Sequence, residues 1–298
     1  MDVKDPKYQE DVLKQKSQND PREIAIREKI TAEVLKEQWA KDAFAKIRHE
    51  QIDYLKGAVA NVQDEIHVHD LTQRVLKNIS DEVKSKIVEG KELLDDVPKG
   101  HPAIIVTNHF GAYKLLGINP KNDVGVDIPG YDAMYPYLMY FAALRPAAEA
   151  IGDGLYYASN DFPGVFGDIH RKAGFIHVPP IGENRIVILI EQNKAAITKR
   201  PNSAIVSFPE GTTSGKPSGR GPYDIGPFRT GAYVIAAELG IYIVPVAQYF
   251  DPKEGYDLKI MRPFIPEKGD KELFKLYAEQ NRNEMQTWLD QRRKSSER

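Results

Sequence analysis

Two largely apolar runs, Ala103-Ile104-Ile105-Val106-Thr107 and Ala204-Ile205-Val206-Ser207-Phe208, each stop abruptly at polar residues. Asn108-His109 follows the first, and Pro209-Glu210-Gly211-Thr212-Thr213-Ser214 follows the second. Short apolar runs bounded by turn residues read as strands buried on both faces. Similar runs near 174–178 and 242–247 predict two more strands. Between these runs, helical spacing of apolar residues predicts helices near 111–117, 132–151, 184–197 and 229–239. Such alternation argues for βαβ units and an α/β fold with a mainly parallel central sheet flanked by helices. Sheets of that kind bind ligands beyond the carboxyl ends of their strands, where both polar breaks fall.

Residues 1–95 follow a different pattern. They are rich in Lys, Glu, Gln and Asp, with apolar positions at helical spacing, as in Ile26, Ile30, Val34 and in Ile47, Tyr54, Leu55. Pro21 suits a helix start, and Ser80-Asp81-Glu82-Val83 has the form of an amino-terminal cap. Pro98-Lys99-Gly100 then breaks the pattern. The expected organisation is an N-terminal helical region over 1–95 and an α/β domain over 96–298. Leu273, Phe274, Leu276, Tyr277, Met285, Trp288 and Leu289 predict one amphipathic helix near the end, packed on the body or turned to a membrane.

Composition narrows the chemistry. A formal net charge of -2 gives no basic excess for nucleic acid. The absence of cysteine removes thiol nucleophiles, disulfides and Cys-based zinc sites. No run of about 18 apolar residues occurs, and the stretch Met1-Asp2-Val3-Lys4-Asp5-Pro6 lacks the apolar stretch expected of a secretory signal. The expectation is a cytoplasmic protein, with peripheral binding to a membrane surface left open.

Phe208-Pro209-Glu210-Gly211-Thr212 after a strand is the more specific of the two motifs. Gly211 lets the chain turn closely around a ligand, and successive backbone N–H groups there can form a nest for an anion. Pro227-Phe228-Arg229-Thr230-Gly231-Ala232 then leads into a helix, and Ile243-Val244-Pro245-Val246 follows as a strand. Together with Asn108-His109, these elements resemble the glycerophospholipid acyltransferase superfamily, which includes glycerol-3-phosphate and 1-acylglycerol-3-phosphate acyltransferases. The resemblance covers roughly residues 100–250.

The resemblance implies transfer of a fatty acyl group from acyl-CoA or acyl-carrier protein to a hydroxyl of a glycerol-phosphate or related lipid acceptor. No metal or redox cofactor is implied. His109 and Glu210 take the catalytic positions; Lys114, Gly211, Thr212, Thr213, Arg220 and Arg229 are candidates for substrate binding. The chain departs from the family's His-x4-Asp pattern, because the fifth residue after His109 is Lys114. A carboxylate there would hold the imidazole and stabilise its charged form, whereas an ammonium disfavours it. Three substitutes stay open: Glu210 as the partner, Asp123, Asp127 or Asp132 folding back, or lost chemistry with Lys114 binding an anion. Two arginines common in the family are also missing, one at Thr213 and one near 174–179; Lys216, Arg171, Lys172 and Arg185 offer further positive charge. The alternative function is a non-catalytic lipid- or acyl-binding protein on the same scaffold.

Other signals carry less. Gly211-Thr212-Thr213-Ser214-Gly215-Lys216 has the wrong glycine spacing for a phosphate-binding P-loop, and Pro217 stands where Ser or Thr is needed. No Gly-x-Ser-x-Gly elbow occurs. His67, His69 and Asp70 are expected at the surface, without a matching ligand group. The aromatic stretch 135–141 is expected in the core, with an acyl-groove wall as the alternative.

Overall fold

The computed structural model describes residues 25, 32–33, 35–110, 137–152, 154–160, 164–179, 184–211, 214–215 and 221–296. Seven strands form one sheet: β1 (Lys86–Glu89), β2 (Ala103–Thr107), β3 (Gly154–Asn160), β4 (Phe175–Val178), β5 (Ser203–Ser207), β6 (Tyr242–Asp251) and β7 (Gly255–Ile260). Their order is β1-β7-β6-β2-β5-β3-β4. Every neighbouring pair is parallel except the β6–β7 hairpin. The fold is therefore α/β with a mainly parallel sheet. β2 lies between β6 and β5 and is buried along its whole length, which is why it reads as an uninterrupted apolar run.

Eight described α-helices surround the sheet: α1 (Gln38–Ala60), α2 (Glu65–Glu82), α3 (Tyr137–Ala142), α4 (Arg145–Ile151), α5 (Gly164–Ala173), α6 (Arg185–Lys199), α7 (Gly231–Leu239) and α8 (Lys271–Ser296). Right-handed crossovers decide their faces. The steps β2 to β3 and β3 to β4 move outward along the sheet, so α3, α4 and α5 share one face. The steps β4 to β5 and β5 to β6 return, which puts α6 and α7 on the other face, where α8 packs on β6 and α7. The hairpin α1–α2 backs the first layer, with α2 against α3, α4 and α5. Its seam follows helical spacing, with Phe44, Ile47, Tyr54 and Leu55 facing Val68, Val75, Leu76 and Ile79. Asp64 caps α2 by accepting the His67 N–H at 2.9 Å.

Several expectations need correction. Residues 80–82 end α2 instead of capping a new helix, and β1 lies inside the stretch expected to be helical. The helix expected over 132–151 is two short described helices separated at 143–144, with Pro146 at the start of the second. The helix expected near 111–117 lies outside the described residues. His69 is not at the surface: it is 3% exposed, in the face of α2 that meets α5. Of the aromatic stretch, Leu138 and Phe141 are core residues. Among the described residues, no helix is long and apolar enough to cross a membrane.

Candidate active site

β2 and β5 are parallel neighbours, with Val106 opposite Ser207. Their extensions therefore leave the sheet side by side, although 101 residues separate His109 from Glu210. Asn108 continues the strand by other means. Its side-chain amide accepts the Gln248 N–H at 2.9 Å and donates to the Gln248 carbonyl at 3.1 Å. The Gln248 side chain closes the pair by donating to the Asn108 carbonyl at 2.6 Å. On the other side of His109, Phe110 is buried in an aromatic cluster with Tyr223 at 5.0 Å, Tyr256 at 6.2 Å and Phe250 at 6.4 Å between ring centroids. His109 thus sits between two anchored neighbours, itself half-buried, with its ring tilted over Phe208 at 4.4 Å.

Glu210 joins the two strand ends. Its carboxylate accepts three hydrogen bonds: the His109 backbone N–H at 2.9 Å and the Ser214 hydroxyl at 2.5 Å on Oε1, and the Gly226 N–H at 2.7 Å on Oε2. The Ser214 N–H returns the contact to the His109 carbonyl at 2.8 Å. Burial pushes the Glu210 carboxyl above the usual carboxylate range, and the three donors and the Arg282 charge oppose that rise. The structure therefore brings His109 and Glu210 together, and the described bond between them runs through the backbone of residue 109.

Gly211 makes the turn after Glu210 with φ of +66°, a conformation that favours glycine. A Cβ there would meet the Arg229 guanidinium at 2.7 Å, so this arginine lies over the turn. The Arg229 backbone N–H also donates to the Pro209 carbonyl at 2.9 Å, pinning this arginine beside the Gly211 turn. The exposed guanidinium and the Gly211 turn together offer a place for an anion.

Residues 157–249 match the Acyltransferase family model. The match begins within β3 and ends within β6, so it contains Glu210, Gly211 and Arg229 and starts after His109. It supports the acyltransferase superfamily. No curated protein matches the chain.

Lys114, Thr212, Thr213 and Arg220, with Lys216, Asp123, Asp127 and Asp132, lie outside the described residues. Sequence reasoning does not point to Gln248, Gly226 or Ser214 as partners in the site. A serine four residues after a motif glutamate carries no signal of its own; its bond to Glu210 depends on the turn at Gly211.

Proposed function

We propose that this protein is an acyltransferase that moves a fatty acyl group from acyl-CoA or acyl-carrier protein to a hydroxyl of a lipid or polyol-phosphate acceptor, with membrane contact at its surface. The observation that carries the reading is the half-buried His109 ring, anchored on both sides, beside the strand end whose Glu210 lies inside the Acyltransferase match. In this reading the His109 imidazole takes the proton of the acceptor hydroxyl while its oxygen attacks the thioester carbonyl carbon. The tetrahedral intermediate then expels the thiolate, which takes the proton from the imidazolium, and the ester is released. No enzyme-bound acyl intermediate is required. Arg229 and the Gly211 turn bind anionic groups of donor or acceptor, with Lys114, Thr212, Thr213 and Arg220 as further contacts.

A second reading, a non-catalytic acyl-binding protein, is favoured by Lys114 and by the engagement of both Glu210 oxygens with other donors. Purified protein incubated with a long-chain acyl-CoA and glycerol 3-phosphate or its monoacyl ester separates the two. Loss of turnover by about 10²–10⁴ in His109→Ala supports the acyltransferase. Absence of turnover in the natural chain, with acyl-CoA still bound and activity appearing in Lys114→Asp, supports the binding protein.

A further inference from the structure

The third donor to Glu210 comes from a segment fastened from outside the family match. Gly226 donates to Glu210 Oε2 at 2.7 Å, and its peptide is shared with Ile225. The carbonyl of that same peptide is held by α8: Arg282 donates to the Ile225 carbonyl from Nε at 3.1 Å and from Nη2 at 2.8 Å. One turn further along, Gln286 accepts the Ile225 N–H on Oε1 at 2.8 Å and donates from Nε2 to the Tyr223 carbonyl at 3.0 Å. Residues four apart lie on one face of a helix, so both side chains reach the segment together.

A peptide unit is planar. Gripping its carbonyl fixes the direction of its N–H, and a cation on the carbonyl strengthens that N–H as a donor. The Gln286 amide matches the backbone groups of Tyr223 and Ile225 as a neighbouring strand would, so the segment cannot rotate without breaking both bonds. We propose that Arg282 and Gln286 are positioning residues for the site: they set the Ile225–Gly226 peptide so that Glu210 holds the backbone of His109 in place. The proposal rests on the acyl-transfer reading for its kinetic part, and on hydrogen bonding alone for its structural part. The Arg282 charge also favours the ionised form of Glu210.

The test uses the full chain with Gln286→Met, Arg282→Met and Arg282→Lys. Three readouts are compared: kcat with the donor KM, thermal unfolding, and titration of the Glu210 carboxyl by 13C NMR, assigned with Glu210→Gln. Both Met variants are expected to lower kcat by about tenfold or more, as loss of a charge-assisted or buried bond implies, with the donor KM little changed. In both, Glu210 titrates at higher pH, because its Gly226 donor is released. Arg282→Lys keeps the charge and one donor and recovers most of the loss. A lower melting temperature with either kcat or the Glu210 titration unmoved overturns the proposal, leaving the contacts as helix docking alone. A natural chain with no turnover sinks the acyl-transfer reading instead, and the titration in Gln286→Met, which keeps the Arg282 charge, then decides: Glu210 unmoved there overturns the positioning role. If a Met variant does not fold, Gln286→Leu and Arg282→Gln, which remove the amide and the charge respectively, carry the same comparison.

Discussion

Asn108 uses one side chain to do what a further strand residue would do with its backbone. Its amide pairs with both backbone groups of Gln248, and the Gln248 side chain returns a third bond. All of this is buried, with neither Asn108 nor Gln248 exposed at all. Replacing Asn108 with alanine leaves the Gln248 N–H and carbonyl without these partners, and a buried unpaired group costs about 1–3 kcal/mol. Asn108→Ala is expected to lower the stability in urea by about that amount. A change well under 1 kcal/mol would mean that the pairing has little net value. At this scale the sequence showed that positions 108, 109 and 210 were special, because polar residues interrupted buried runs. It could not show that the amide of Asn108 is consumed by structure, since its partner lies 140 residues away.

The packing of α2 on α5 makes a different kind of prediction. His69 and His170 are both buried there, and burial pushes their pKa values down to about 4 and about 3. Arg200 and Lys199 add to the effect at His69 and Asp70 opposes it, while Arg171 adds to it at His170. A histidine that stays neutral in the folded chain resists protons that the unfolded chain accepts below about 6.5. Stability is therefore full above that pH and is lost as the pH falls toward the folded values. The loss reaches on the order of 2 kcal/mol for each histidine near pH 4.5. Urea unfolding between pH 7 and 4.5 is expected to show this decline, flattened in His69→Gln and His170→Gln; equal slopes in all three proteins would contradict it.

Elements differed in how well the sequence revealed them. β2 and β5 are buried on both faces and were plain. β1 is short and largely exposed, and β7 carries Asp257 and Lys259, so neither had an apolar signature. Asp257 is fully buried and forms ion pairs with Arg292 of α8 and with Lys86, partners that only the tertiary fold supplies. β3 mixes glycine, tyrosine and serine and gave no clean period.

For the whole molecule, the sheet order explains the site. Because β5 returns to pair with β2, two loops distant in sequence share one end of the sheet, and Glu210 and Ser214 bind them through the backbone of His109. The pairing of those runs was readable from pattern and resemblance; the reinforcement by α8 was not, because Arg282 and Gln286 look like ordinary polar residues of an amphipathic helix. If the two strand ends form one catalytic unit, the effects of removing them cannot add. The most direct measurement is a double-mutant cycle on acyl-transfer kcat/KM with His109→Ala, Glu210→Ala and the pair. The double variant is expected to be about as impaired as His109→Ala alone. Independent effects, with the two losses multiplying, would contradict it.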